Sequence, residues 1–91
     1  MTKITDAKSL GYAVRAVRKA LGITQDQLAL TSGTNRRFIV ELESGKATAQ
    51  IGKALTVLQS LGMSLEVTAP GNVDLTEKTT ENRGPDDGPV T

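Results

Sequence analysis

Residues 24–43, TQDQLALTSGTNRRFIVELE, contain two short helical patterns separated by a glycine, and this stretch decides the fold of the 91-residue chain. Thr24 followed three residues later by Gln27 is a capping-box pattern, which predicts a first helix over residues 25–32. Gly33 suits a turn residue with positive φ. Two short helices joined by such a turn predict a helix-turn-helix unit.

The second helix of this unit begins after Thr34 or Asn35, both good N-caps, and it runs through Glu43 until Ser44 and Gly45 end it. A helix of this kind can enter the major groove of DNA and present the side chains of its N-terminus to base edges. Arginine pairs bidentately with guanine, and asparagine pairs with adenine. The candidate base contacts are therefore Asn35, Arg36 and Arg37.

Two further amphipathic helices flank this unit. The first has an apolar stripe that ends before Gly22: Leu10, Val14, Val17 and Leu21. The last is capped by Thr48, ends at Gly62 and has its own stripe: Ile51, Ala54, Leu55, Leu58 and Leu61. Within the central unit, the inward-facing residues are Leu28, Ala29, Ile39 and Leu42.

After Gly62 the period of the apolar pattern changes from 3.6 to 2, which predicts one amphipathic strand that Pro70 stops. No second strand pattern is found, and a lone strand leaves its backbone groups unpaired. The same strand of a second copy is the simplest partner, which predicts a two-fold dimer. A frayed segment that only covers the core is the alternative. The predicted dimer strand consists of Met63, Ser64, Leu65, Glu66, Val67, Thr68 and Ala69.

Charge and composition divide the chain into two parts. Residues 1–69 hold 9 Lys plus Arg and 5 Asp plus Glu, a net charge of +4, whereas residues 70–91 hold 2 and 5, a net charge of −3. The second part contains all three prolines and no aromatic residue, so it buries too little apolar surface to offset its ordering entropy. We predict a folded domain followed by a disordered acidic tail. The tail could keep the protein in solution, engage a protease or fold on a partner.

The composition also excludes several function classes. The chain has no Cys and no His, which excludes disulfides, thiolate or imidazole metal sites and Ser–His catalysis. The acidic residues near Ser44 have no activated nucleophile beside them, so we predict no enzyme activity, no cofactor and no metal. No apolar run approaches the ~18 residues of a membrane span, and the N-terminus lacks a secretory pattern. A cytoplasmic, nucleoid-associated protein is the expectation.

Residues 22–46 resemble the Cro/phage-repressor (XRE) helix-turn-helix family, and the match extends over roughly residues 9–61. The motif reads Gly22-Ile23-Thr24-Gln25-x-x-Leu28-Ala29 and then Gly33-x-x-x-x-Phe38-Ile39-x-x-Leu42-Glu43-x-Gly45-Lys46. The resemblance implies a mainly α, lambda-repressor-like domain of four to five helices that binds operator DNA. It implies that Val40 and Glu41 lie near the base-reading residues and add apolar or acceptor contacts to the bases, and that Arg18 pairs with Glu43. The residues it assigns to the DNA backbone are Thr24, Gln25, Phe38 and Lys46.

Residues 55–67, LTVLQSLGMSLEV, are similar to the end of the HipB-like antitoxins. That resemblance implies a terminal strand paired across a homodimer, repression of the protein's own operon, and binding of a HipA-like Ser/Thr kinase toxin in a type II toxin–antitoxin pair. Two alternatives stay open: a stand-alone XRE-type transcriptional regulator, and a protein-interaction module that does not bind DNA. The modest charge of the folded part keeps the second alternative open.

Single residues also have plainer interpretations. Arg36 and Arg37 could form an ordinary solvated face, and Asn35 could serve only as a cap. Phe38 could lie beside a sugar or a thymine methyl group, although packing on the core is favoured. Tyr12 is expected at the edge of the core, partly buried.

Overall fold

The computed structural model describes residues 2–75, which form four α-helices: α1 (Ala7–Ala20), α2 (Gln25–Ser32), α3 (Arg36–Ser44) and α4 (Ile51–Ser60). α1 packs against α3, and α2 packs against both α3 and α4. The prediction of a mainly helical domain is confirmed, with four helices. None of them has the length and apolar character needed to cross a membrane. The core between the helices consists of Val14, Leu28, Ala29, Ile39, Leu42, Ala54, Val57, Leu58 and Leu61.

Local capping fixes where α1 and α2 begin. At α1 the Ser9 N–H donates to Asp6 Oδ1 at 2.8 Å, and the Asp6 N–H donates to Ser9 Oγ at 3.1 Å. The Ser9 backbone N–H, and then the Ser9 side-chain hydroxyl, hold the pKa of the Asp6 carboxyl below its ordinary value. At α2 the Gln27 N–H donates to Thr24 Oγ1 at 3.0 Å, and the Thr24 N–H donates to Gln27 Oε1 at 2.7 Å. The capping box predicted for α2 is therefore confirmed.

α4 differs from the sequence prediction at its start and on its buried face. Its N-cap is Gln50, which makes no side-chain capping bond, so the assignment of Thr48 as the cap is wrong. Ile51 is 67% exposed and Leu55 is 39% exposed, although both belong to the predicted stripe. Two apolar stripes overlap on this helix, and contact with α2 selects the one that includes Val57. The buried set is Ala54, Val57, Leu58 and Leu61.

A close approach of α1 to α3 explains why Tyr12 is exposed. Gly11 faces the end of α3, where a Cβ atom would lie 2.8 Å from the backbone oxygen of Glu43. Tyr12 follows on the helix by about 100° and so points away from α3. It is 73% exposed, and its predicted partial burial is wrong. Leu21, at the C-cap of α1, is likewise 56% exposed.

The segment after α4 makes no β-bridge within residues 2–75. Met63 packs against the core, whereas Leu65 is 46% exposed and Val67 is 77% exposed. A single copy provides no neighbouring strand, so pairing across a dimer stays a prediction. Residues 71–72 form an exposed turn, and the Val73 N–H donates to the Pro70 carbonyl at 2.9 Å. Residues 76–91 of the predicted acidic tail lie outside the described residues.

Candidate DNA-binding surface

The turn between α2 and α3 sets the direction of α3. Gly33 caps α2 with φ 70° and ψ 25°, in the left-handed region that favours glycine. The chain then extends to Asn35, whose Oδ1 accepts the Phe38 N–H at 2.8 Å and caps α3. Asn35 is thus a cap, as one of its two interpretations predicts. Its contact with a base stays a prediction, and the cap uses only the Oδ1 atom of the side-chain amide.

Arg36 and Arg37 lie side by side in the first turn of α3, and their side chains are 65% and 85% exposed. Arg36 Nε lies 3.5 Å from Asp26 Oδ1 of α2, and Arg37 Nε lies 3.2 Å from Glu41 Oε2. Val40, one turn after Arg36, is 41% exposed. The N-terminal end of α3 therefore presents two guanidinium groups, the donors that suit guanine or phosphate acceptors.

Glu41 joins two cations of this surface. Its Oε2 faces Arg37, and its Oε1 lies 3.3 Å from Lys46 Nζ. The hydrogen bonds from Lys46 and then from Arg37 hold the pKa of the Glu41 carboxyl below its ordinary value. Glu41 is therefore ionised at neutral pH, and it is already engaged in the absence of DNA.

A buried ion pair connects α1 to α3. Arg18 Nε and Nη2 donate to the two carboxylate oxygens of Glu43 at 2.6 and 3.0 Å, and Nη1 donates to the Ile23 carbonyl at 2.9 Å. The carboxylate raises the pKa of the Arg18 guanidinium, against the opposing effect of burial. The pairing of Arg18 with Glu43, which the family resemblance implies, is confirmed.

The same carboxylate positions the start of α2. Gln25 Nε2 donates to Glu43 Oε1 at 3.1 Å, so the residue predicted to contact a phosphate is held by α3. The first backbone N–H groups of a helix suit an anion. Between Gln25 and Arg36 lies an open cleft of about 510 Å³, lined by Arg18, Lys19, Gly22, Ile23, Thr24, Gln25, Asp26 and Arg36. Of the predicted contact residues, Thr24, Gln25 and Arg36 thus border one concave surface.

Phe38 is half-buried and packs against the core, as its favoured interpretation predicts. Its ring also lies 5.9 Å from Lys53 Nζ, a cation–π contact that the sequence did not indicate because the two residues belong to different helices. The sequence also did not indicate that Asp26 is the ion-pair partner of Arg36. The pairing of Arg37 with Glu41 could have been found, since it has the i, i+4 spacing. No metal-binding cluster of His, Cys, Asp or Glu occurs within residues 2–75.

Comparison with known proteins gives consistent matches. A family model described as a helix-turn-helix domain matches residues 11–68. The uncharacterized HTH-type transcriptional regulator y4mF of Sinorhizobium fredii (strain NBRC 101917 / NGR234) is 52% identical over 69 residues, which are 76% of this chain and 91% of that protein.

Two solved structures show the same fold. One chain of a HipA–HipB–O2–O3 complex is similar with a TM-score of 0.71 and 28% identity, over 76% of this chain and 97% of that one. The restriction-modification controller protein C.AhdI from Aeromonas hydrophila has a TM-score of 0.59 and 27% identity, over 65% of this chain and 86% of its own.

Proposed function

The chain belongs to the helix-turn-helix family of transcriptional regulators, of the Cro/phage-repressor (XRE) type, and from that premise we propose that it is a sequence-specific repressor that binds operator DNA. The observation that carries the proposal is the exposed N-terminus of α3, where Arg36 and Arg37 follow the cap Asn35. These three residues would read bases, with Val40 and Glu41 beside them. The proposed backbone contacts are Thr24, Gln25, Phe38 and Lys46.

Selection of duplexes from a random pool, followed by Kd measurements, tests this proposal. The double change Arg36→Ala, Arg37→Ala is expected to weaken binding of the selected duplex by roughly 1–3 kcal/mol for each base that is no longer read. Lys46→Ala should instead weaken all duplexes similarly and reduce the salt slope by about 1. Unchanged affinity of the double variant for the selected duplex would contradict DNA reading by α3.

The proposed repressor acts as a homodimer. In one copy the apolar side chains of Ile51, Leu55, Leu65 and Val67 are left in water. Pairing of residues 63–69 with the same segment of a second copy would satisfy their backbone groups and cover apolar surface. It would also place two recognition helices about 34 Å apart, one turn of DNA. The two folded parts together would carry +8, twice the +4 of residues 1–69.

Leu65→Pro tests this dimer, because proline removes a donor from the ladder. We expect monomers in sedimentation equilibrium, whereas Leu65→Val, which keeps both the N–H and the apolar side chain, should remain dimeric. A dimeric Leu65→Pro variant would contradict the shared sheet.

The proposed biological role is that of an antitoxin. It is supported by the similarity of residues 55–67 to HipB-like ends and by the structural similarity to a chain of a HipA–HipB–O2–O3 complex. The partner would be a HipA-like Ser/Thr kinase. The second candidate is a stand-alone regulator, which is favoured by the name of the Sinorhizobium relative as a transcriptional regulator alone.

Isolation of the tagged protein from its native cells, with identification of bound protein and DNA together, separates these roles. A stoichiometric HipA-like kinase with one promoter fragment would support the antitoxin. A promoter fragment without a protein partner would favour the stand-alone regulator. A protein partner without DNA would favour an interaction module.

A further inference from the structure

The three cations that are predicted to contact DNA, Arg36, Arg37 and Lys46, are all paired with carboxylates in the free protein. Arg36 faces Asp26, whereas Arg37 and Lys46 share Glu41. The two carboxylates differ in their surroundings. The Asp26 side chain is 76% exposed and lies 3.5 Å from one arginine, whereas the Glu41 side chain is 31% exposed and lies within 3.3 Å of two cations.

The backbone brings Lys46 to Glu41. Gly45 ends α3 with φ 85°, and this left-handed turn returns the chain so that the Lys46 N–H donates to the Glu41 carbonyl at 3.1 Å. Arg37 lies one helical turn before Glu41 on the same face. The ion pairs of Glu41 with Arg37 and Lys46 therefore depend on the backbone at the end of α3, and not only on flexible surface side chains.

We propose that Glu41 is a positioning residue that sets sequence selectivity, because DNA must either displace its carboxylate from Arg37 and Lys46 or bind two cations whose charge it offsets. This inference rests on the proposed function. It assigns Glu41 a role that acts through the two neighbouring cations, in addition to its proposed place near the bases.

On this proposal, Glu41 weakens the binding of non-cognate DNA. Backbone binding depends on cations that neutralise phosphates, and here a fixed carboxylate already neutralises Arg37 and Lys46 and also repels the phosphates. At a cognate site the displaced carboxylate can accept a hydrogen bond from the exocyclic amino group of cytosine or adenine in the major groove. Displacement of the Glu41 carboxylate is thus compensated only where such an amino group faces it. The resulting difference in affinity between cognate and non-cognate sites is the sequence selectivity.

Glu41→Gln tests the inference, and Asp26→Asn is the matched control. Both variants remove one negative charge and preserve side-chain shape, but only Glu41→Gln releases two cations. The probes are the duplex selected by the wild-type protein and a shuffled duplex of the same composition, at one salt concentration. Thermal melts of both variants verify the fold.

We expect Glu41→Gln to tighten binding of the shuffled duplex by roughly threefold to tenfold, without tightening binding of the selected duplex, so that the ratio of the two Kd values falls at least roughly threefold. Asp26→Asn, which releases only Arg36 and from a more exposed carboxylate, should change the ratio less than Glu41→Gln does. A second selection with Glu41→Gln should lose a preference for cytosine or adenine at one position.

An equal change of the ratio in both variants, or an unchanged selected sequence with Glu41→Gln, would overturn the inference and leave DNA binding intact. If the wild-type protein enriches no sequence at all, the proposed function fails and the inference fails with it. The two failures are therefore distinguishable.

Discussion

Removal of Glu43 should destabilise the domain far more than removal of an exposed carboxylate. The side chains of Arg18 and Glu43 are 10% and 4% exposed, and two charged hydrogen bonds join them. Glu43→Ala leaves the Arg18 guanidinium buried with the Ile23 carbonyl as its remaining acceptor. Breaking a buried pair on one side costs about 3–5 kcal/mol, and we expect about 3 kcal/mol because Arg18 keeps that carbonyl.

The decrease in stability is large for a domain of this size. A change of about 3 kcal/mol should lower Tm by roughly 12–24 °C, since each kcal/mol shifts Tm by about 4–8 °C in a small domain. Urea unfolding followed by circular dichroism, at one protein concentration, measures the free energy directly. Asp26→Ala is the control, because its side chain is 76% exposed and its removal should cost less than about 1 kcal/mol.

A double variant separates the effect of the unpaired charge from that of reduced packing. Arg18→Met combined with Glu43→Leu removes both charges and keeps apolar volume, so it should unfold at higher urea than Glu43→Ala alone. If Glu43→Ala costs less than about 1 kcal/mol, or if the double variant is no more stable, the reasoning about the buried charge is refuted.

Other substitutions give independent tests. Gly11→Ala should destabilise by about 1–3 kcal/mol, because its Cβ would lie 2.8 Å from the Glu43 oxygen, whereas Gly52→Ala meets no neighbour within 4 Å and should stabilise α4 by about 0.5–1 kcal/mol. Thermal melts should therefore show a lower Tm for Gly11→Ala and a higher Tm for Gly52→Ala. Equal shifts in Tm would contradict the close approach of α1 to α3. The lowered pKa of Asp6 means that its stabilisation is full above the ordinary value of 3.8 and is lost as pH falls through the lower folded value. Asp6→Asn, which still caps a helix, should therefore flatten the decline of unfolding free energy as pH falls below 3.8, and an unchanged slope in urea titrations would count against this.

The bounds of α2 and α3 follow from signals that act over very short distances. The box of Thr24 with Gln27, the cap Asn35 and the turn at Gly33 each involve residues within about three positions of one another. Such hydrogen bonds and φ preferences are properties of the local chain, so the sequence alone predicts them. The inward residues Leu28 and Ile39 follow because these short helices have one apolar face.

Contacts between distant segments were decided only by the tertiary structure. On α4, Leu55 and Val57 are both apolar, and packing against α2 buries Val57 completely while Leu55 stays 39% exposed. Tyr12 is exposed because Gly11, its neighbour, allows α1 to meet α3. Periodicity restricts a helix to a few candidate faces, and the shape of its neighbours selects one of them.

The candidate surface shows the same division. Asn35 caps α3 and places Arg36 and Arg37 on its first turn, a position that was predictable from sequence although Thr34 was also a candidate for the cap. Arg18 and Glu43 are 25 residues apart, and their contact followed from a family resemblance, since no spacing rule relates two residues on different helices. The sharing of Glu41 by two cations likewise needed the fold, because the turn at the end of α3 determines where Lys46 lies. Local hydrogen bonding therefore placed the side chains that are proposed to read bases, whereas packing between helices determined which charges meet.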